Sequence, residues 1–127
     1  MSRLVLDAGA FIALDRNDRD TWTRLNRAIH TEHELVTHAG IVGQVWRHPS
    51  RQARLAQALK SVEIIPITSE LARAAGLLLA ATRRDDVHDA ALALLCEPDD
   101  VIITSDTDDL VALLSERGMQ SVDVLNP

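Results

Sequence analysis

The stretch LVLDAGAFIAL, residues 4–14, sets the pattern on which the rest of the chain is built. Its first three residues, Leu4-Val5-Leu6, form a short apolar run that predicts a buried strand. Gly9 allows a turn after that run, and apolar residues then continue into a predicted helix that extends through Leu14. Asp7 directly follows the strand. The stretch therefore predicts a β-to-α step with an acidic side chain where the strand ends.

The same alternation of strand and helix signals recurs along the chain. Further strands are predicted at 34–37, 62–67, 101–104 and 122–125. Further helices are predicted at 22–29, 41–46, 51–60, 69–78, 87–95 and 109–116, with Ser69 as the cap of the fourth. Such alternation favours a parallel sheet covered by helices on both faces and joined by right-handed crossovers. We therefore expect one α/β domain over residues 1–127, a three-layer α/β/α sandwich with a short, mainly parallel central sheet.

Composition and charge limit the classes of function. A chain of 127 residues with 46% hydrophobic residues can bury a real core. Its aromatic residues are Phe11, Trp22 and Trp46, so base stacking on aromatic platforms is not expected. The formal net charge of −6 argues against holding nucleic acid by overall positive charge. Arginines at 47, 51, 54, 83 and 84 form local groups that could contact phosphate, although each is expected to be an ordinary surface residue.

Further features bear on the cellular compartment. The single cysteine, Cys96, excludes an internal disulfide and is expected to be a buried helical spacer. The chain start lacks a signal-peptide pattern, and no apolar run approaches the ~20 residues that span a bilayer. We therefore expect a soluble cytoplasmic protein with no membrane partner.

Two pairs of acids follow later elements of the chain. Asp86 and Asp89 occur in DVHDA, at the start of a predicted helix, and Asp106 and Asp109 occur in TSDTDDL, just after a predicted strand. In an open α/β sheet, ligands collect outside the carboxyl ends of the strands, so distant segments can bring their side chains to one crevice. Together with Asp7, these acids predict a metal-binding nuclease pocket.

Clustered carboxylates need a cation, and Mg²⁺ or Mn²⁺ suits a site made of oxygen ligands. Divalent ions of this kind support phosphodiester hydrolysis. We expect Asp7, Asp89 and Asp106 to be the catalytic residues and direct metal ligands, with Asp86 and Asp109 as indirect or water-mediated partners.

A simpler interpretation stays open for several acids. Asp86 could cap the helix that follows it, and Ser105 or Asp106 could cap the last helix. Asp15, Asp99, Asp100 and Asp108 are expected in turns or on the surface. The five histidines show no zinc spacing and are expected to be surface or partly buried residues.

Four segments together resemble the PIN-domain family, and within it the VapC ribonuclease toxins of bacterial toxin–antitoxin pairs. The segments are LVLDAGA (4–10), VGQVWR (42–47), DVHDA (86–90) and ITSDTDDL (103–110). They are spread over nearly the whole chain, and their order carries the resemblance. It implies a PIN-like sandwich, Mg²⁺- or Mn²⁺-dependent RNA cleavage, inhibition by a VapB-like antitoxin whose tail covers the acidic groove, and pairing as a homodimer.

Carried over by motif, Asp7 matches the first acid of the family, Asp89 the third and Asp106 the fourth. The second acid is usually Glu, but the matching position here is Gln44. Its amide can orient a water or bind a metal through its carbonyl, but it cannot accept a proton as a base. We predict that Asp86 or Asp109 compensates in charge. The alternative is a catalytically weak PIN module that acts by binding RNA or an antitoxin.

Three other functions fit the sequence less well. A phosphatase of the aspartyl-phosphate type would need Asp-x-Asp after the first strand, where this chain has Asp7-Ala8-Gly9. A receiver domain would need a lysine at a late strand end, and the one lysine is Lys60. A dinucleotide-binding domain would need Gly-x-Gly-x-x-Gly in the first turn, which is missing.

Overall fold

The computed structural model describes residues 3–127, in which five parallel strands form one sheet. The strands are β1 (Leu4–Leu6), β2 (Leu35–His38), β3 (Glu63–Ile65), β4 (Val101–Ile103) and β5 (Asp123–Leu125). The helices are α1 (Ala8–Asp15), α2 (Arg19–His30), α3 (Ala39–Val45), α4 (Ala53–Leu59), α5 (Ser69–Thr82), α6 (Val87–Leu95) and α7 (Thr107–Glu116). A 3₁₀ turn, Pro49–Arg51, precedes α4.

The strand order is β3-β2-β1-β4-β5, so β1 lies in the middle of the sheet. The chain first builds outward from β1 to β3 and then returns to the other side of β1 with β4 and β5. This reversal makes a topological switch point between β1 and β4, where Leu6 pairs with Ile103. Ligands of open α/β sheets bind at such a point, outside the carboxyl ends of the strands.

Helices cover both faces of the sheet, as the alternation in sequence predicted. Right-handed crossovers put α1 to α4 on one face and α5 to α7 on the other. The contacts agree, because α1 packs against α2, α3 and α4, while α5, α6 and α7 pack against one another. None of the helices within residues 3–127 is long and apolar enough to cross a membrane.

The core lies between the central strands and these helices. Leu4, Val5 and Leu6 are all buried, because a parallel strand in the middle of such a sheet is covered on both faces. Phe11 and Leu14 of α1 pack into the same core and are fully buried. Edge strands β3 and β5 are more exposed and short, which limits pairing with other chains.

The structure corrects some boundaries. The cap of α5 is Thr68 and not Ser69, because the Thr68 hydroxyl accepts a hydrogen bond from the Leu71 amide at 3.1 Å. The final helix begins at Thr107, two residues before its predicted start. The basic segment after His48 forms the 3₁₀ turn before α4, because Pro49 can begin a turn but cannot continue an earlier helix.

Asp100 was expected in a turn or on the surface. It does end a turn, since its amide donates to the Glu97 carbonyl at 3.1 Å, but it is buried and not on the surface. Its side chain is 2% exposed and accepts a hydrogen bond from the Arg3 guanidinium at 2.8 Å. The two residues form an ion pair although they are 97 residues apart in sequence. Cys96 is buried, as expected, but at the end of α6 and not within it.

Candidate metal centre

Three carboxylates meet at the carboxyl edge of the sheet. Asp7 follows β1, Asp89 lies in the first turn of α6, and Asp106 lies between β4 and α7. One oxygen from each lies within 4.8 Å of the oxygens of the other two. The structure thus brings together the three acids that the sequence placed first.

Asp7 is held firmly from several sides. Its backbone amide donates to the Ile103 carbonyl at 3.0 Å, which fastens the end of β1 to β4. One carboxylate oxygen caps α1 by accepting from the Ala8 amide at 2.7 Å, and the other accepts from the Thr104 hydroxyl at 2.6 Å. The side chain is 3% exposed. Asp7 is therefore a helix cap and a member of the cluster at once.

Thr104 is a residue that the sequence analysis missed. It is fully buried at the end of β4, and its hydroxyl donates to Asp7 and accepts from the Asp106 amide at 2.9 Å. One side chain therefore ties two members of the cluster together. The available signal was its position, because Thr104 is the first polar residue after the apolar run of β4.

Asp89 is the member of the cluster whose negative charge is least favoured by its surroundings. Its side chain is 3% exposed, and its Oδ2 atom has no hydrogen-bond partner within the described residues. Burial, and after it the nearby charges of Asp7, Asp86, Asp106 and Asp109, together raise the pKa of Asp89 to about 8. A bound cation would remove both penalties.

Asp106 is the exposed member of the cluster. Its pKa is raised, first by the partial burial of its carboxyl group and then by the charges of Asp7, Asp109 and Asp86. It occupies the position before α7, but its side chain makes no capping hydrogen bond to that helix. The capping interpretation therefore fails for Asp106, whose carboxylate is left for the cluster.

The two supporting acids have other partners. Asp86 caps α6, because its Oδ1 accepts from the amides of His88 at 2.9 Å and Asp89 at 3.2 Å. Asp109 accepts from the Arg84 guanidinium at 2.7 Å. Both lie outside the three-acid cluster, although both raise the pKa of Asp89. Their charge acts on the site from a distance.

Gln44 lies in α3, next to the last residue of that helix, with an exposed side chain. Its side-chain amide makes no hydrogen bond within residues 3–127. No hydrogen bond therefore fixes the amide in one orientation.

His38 is the second residue whose role the sequence analysis missed. It is fully buried, its Nδ1 accepts from the Gly40 amide at 3.1 Å and caps α3, and its Nε2 lies 2.9 Å from the His88 carbonyl. Because Nδ1 is an acceptor here, Nε2 must carry the proton and donate. Burial lowers the pKa of His38, so the neutral ring is favoured. The expectation of surface or partly buried histidines is wrong for this residue.

His38 thus connects β2 to the beginning of α6. Its ring stacks on the ring of His88 with centroids 5.7 Å apart, and a side chain at Gly40 would collide with the His88 ring. His88 directly precedes Asp89. The histidine pair therefore fixes the first turn of α6, from which the Asp89 carboxylate projects.

The donor set fits a hard divalent cation. The three carboxylates supply oxygen ligands, which suit Mg²⁺ or Mn²⁺. The unpartnered, buried Oδ2 of Asp89 is the observation that favours an ion, since a buried carboxylate oxygen is normally hydrogen-bonded. The cluster could therefore hold a metal ion.

The receiver-domain alternative loses its remaining support. Lys60 is exposed at the end of α4, away from any strand end. The end of β5 is followed by Asn126 and not by a lysine.

Comparison with known proteins gives a match of structure alone. No protein-family model matches the chain, and no curated protein matches it. A chain in the crystal structure of VapBC2 from Rickettsia felis, bound to a DNA fragment from their promoter, is similar in structure with a TM-score of 0.66. The two chains are 10% identical, and the match covers 98% of each. The likeness shows a shared fold over the full length, consistent with the PIN-like α/β/α architecture predicted from the sequence.

Proposed function

We propose that this protein is a metal-dependent endoribonuclease, the toxin of a toxin–antitoxin pair, and that it hydrolyses phosphodiester bonds in RNA at the cluster of Asp7, Asp89 and Asp106. The observation that carries the proposal is the cluster itself, with three carboxylates within 4.8 Å at the switch point of a parallel sheet. Three neighbouring carboxylates repel one another, so their clustering does not by itself stabilise the fold.

The raised pKa of Asp89 supports the same proposal. A buried carboxylate without a hydrogen-bond partner destabilises the fold, and such groups are retained at sites that use them. The Thr104 hydroxyl links the Asp7 carboxylate to the backbone of Asp106, so these two segments are held together before any ligand arrives.

The three acids would hold Mg²⁺ or Mn²⁺. When bound, such an ion lowers the pKa of a coordinated water and neutralises charge on the phosphate. The protein's own contribution is to fix three carboxylates at one edge of the sheet and to keep Asp89 out of water. Asp86 and Asp109 add negative charge nearby and are the candidates to compensate for Gln44.

RNA as the substrate follows from the sequence resemblance alone. A VapB-like antitoxin as the partner follows from the same resemblance and is supported by the structural likeness to a chain of the VapBC2 complex. In this proposal the antitoxin covers the acidic groove, and the chain pairs as a homodimer. Co-purification with the product of an adjacent small gene, and light scattering of the isolated protein, test these two points.

Cleavage of total cellular RNA by the purified protein tests the activity. With Mn²⁺ or Mg²⁺ we expect new 5′ ends, and with a chelator we expect none. Asp7→Asn, Asp89→Asn and Asp106→Asn should each lower the rate by ~100-fold or more, since each removes a charged ligand. Asp20→Asn makes the same change at an exposed position of α2 and should leave the rate unchanged. Equal rates for the Asp89 and Asp20 variants would refute the proposal.

A second function is favoured by one specific observation, the neutral Gln44 on α3 in place of the usual glutamate. In that case the protein would bind RNA or an antitoxin and cleave slowly. Gln44→Glu separates the two, because it should raise cleavage sharply if the missing acid limits the rate. If Asp86→Asn and Asp109→Asn lower cleavage instead, and Gln44→Glu changes little, those acids compensate.

A further inference from the structure

A polar cavity opens beside the three-acid cluster. It is lined in part by Arg84, an arginine to which the proposed function gives no role. The cavity has a volume of about 240 Å³ and shares Asp89 with the cluster. Its charged lining residues are Arg83, Arg84, Asp85, Asp86, Asp89 and Asp109. A cavity continuous with a candidate metal site is where the remainder of a substrate would lie.

Arg84 has hydrogen-bonding capacity to spare in this cavity. One of its terminal nitrogens donates to Asp109 Oδ1 at 2.7 Å. Its Nε atom is buried and has no partner within residues 3–127. A guanidinium carries five N–H donors in a planar fork, and a buried donor without a partner is unfavourable. The second terminal nitrogen also has no partner within the described residues, but it is not buried, so its N–H groups are free to bind a ligand in the cavity.

The backbone fixes where Arg84 lies. Helix α5 ends at Thr82 and is followed by Arg83, whose φ of 57° is in the left-handed region that residues other than glycine rarely adopt. The Arg84 amide then donates to the Leu79 carbonyl at 3.1 Å. This turn sets Arg84 between α5 and α6, facing Asp109 in the first turn of α7.

We propose that Arg84 binds a phosphodiester oxygen of single-stranded RNA in this cavity, next to the three-acid cluster. The inference rests on the proposed function, which makes RNA the ligand. The Arg84 fork matches the geometry of phosphate oxygens, and the terminal nitrogen that does not bind Asp109 is the accessible donor from which such an oxygen would accept. Asp109 holds the guanidinium in place and competes with the phosphate for its charge.

The ion pair with Asp109 does not prevent this. The two side chains are 35% and 46% exposed, and pairs of this kind contribute little to stability. A phosphate can therefore share the guanidinium with Asp109. Arg84 could also serve only to form the ion pair with Asp109. The test must therefore separate this structural role from the binding of a phosphate.

The test compares Arg84→Gln with Asp109→Asn, because both variants weaken the ion pair but change the charge of the cavity in opposite directions. The probe is a labelled, short single-stranded RNA of randomised sequence, with affinity measured by fluorescence anisotropy in Ca²⁺ at several salt concentrations. Arg73→Gln, on the exposed side of α5, makes the same substitution outside the cavity and is the matched control.

We expect Arg84→Gln to weaken RNA binding by roughly five-fold and to reduce the slope of log affinity against log salt by about 0.7, the value for one phosphate contact on a single strand. Asp109→Asn should tighten binding by roughly two-fold, since it removes a competing charge but keeps an oxygen that can hold Arg84. Arg84→Lys retains the charge, should retain the slope, and remains informative if Arg84→Gln is poorly folded.

Weaker binding by both Arg84→Gln and Asp109→Asn, or an effect of Arg84→Gln no larger than that of Arg73→Gln, would overturn the inference and leave a structural ion pair. Cleavage is scored separately. Absence of metal-dependent cleavage in the wild type would refute the proposed function, while opposite effects of the two cavity variants on RNA affinity would still identify Arg84 as a phosphate ligand.

Discussion

The Thr104 hydroxyl donates to Asp7 Oδ2 at 2.6 Å across 97 residues of sequence, and both groups are buried. Because the same hydroxyl accepts from the Asp106 backbone amide, this one side chain links the Asp7 carboxylate to the chain segment that carries Asp106. The cluster is thus built into the pairing of β1 with β4.

Thr104→Val keeps the shape of the side chain and removes the hydroxyl. We expect a loss of ~1–2 kcal/mol in unfolding free energy, and a loss of ~10-fold or more in Mn²⁺ affinity, as for other groups that orient metal ligands. Urea denaturation and calorimetric titration measure the two effects. Thr104→Ser should restore most of both.

Thr21→Val is the matched control for that variant. Thr21 is also buried, and its hydroxyl also donates to a carboxylate, that of Asp18 at 2.6 Å, but in α2. It should lose stability without losing Mn²⁺ affinity. An equal loss of Mn²⁺ affinity in both variants would show that Thr104 has no specific part in the site.

Asp89→Asn should stabilise the protein in the absence of metal, increasingly so as the pH rises. The folded-state pKa of Asp89 is about 8, whereas that of an unperturbed aspartate is 3.8. Between these values the unfolded chain has lost the proton and the folded chain has kept it, so unfolding free energy falls as pH rises through this window. The Asn variant does not ionise and avoids that loss.

Chelator-treated protein should therefore show little difference between wild type and Asp89→Asn near pH 4 and the largest difference near pH 8 and above. Thermal melts across this range measure it, with Tm differences of roughly 3–6 °C per kcal/mol for a chain of this size. Mn²⁺ should raise the Tm of wild type and not that of the variant. A variant less stable than wild type at high pH contradicts the raised pKa.

His38 should make folding sensitive to mild acid. Burial lowers its pKa from 6.5, so the neutral ring contributes stability that is present above about pH 6.5 and is lost as pH falls through the folded-state pKa. His38→Asn keeps an oxygen that can cap α3 and removes the titration. Its unfolding free energy should depend less on pH below 6.5 than that of the wild type.

His30→Asn is the control, because His30 is exposed in α2. Urea unfolding at a series of pH values compares the three proteins. The same acid dependence in His38→Asn as in wild type would assign that dependence to other groups.

Gly9→Ala should be strongly destabilising, because a Cβ at this position would overlap the Ser105 hydroxyl. We expect ~2 kcal/mol or more, as for other overpacked sites. Adding Ser105→Gly removes the colliding side chain and should recover a large part of the loss. Gly43→Ala is the control, because a Cβ there meets open space. Chemical denaturation ranks the four proteins, and failure of the double variant to recover would show that the collision is not the cause.

The sequence determined the architecture because strand and helix signals are local. Three apolar residues before Asp7 and three before Thr104 specify buried strands, and their alternation with helical spacing specifies a parallel sheet. The same locality explains why Asp7, Asp89 and Asp106 could be grouped, since acids that follow strands or begin helices at one edge of such a sheet converge. Helix boundaries near Thr68 and Thr107 were less well determined, because capping depends on side-chain geometry.

The tertiary structure decided what each polar side chain does. Asp86 and Asp89 occur in one short motif, yet Asp86 caps its own helix while Asp89 is buried without a partner. His38 and Asp100 are buried in contact with His88 and Arg3, which lie in distant segments of the sequence. Their burial therefore could not be predicted from their local sequence. Thr104 matters for the same reason. Local sequence fixes where a residue lies along an element, but its burial and its partners depend on which elements pack against it, and those contacts exist only in the folded chain.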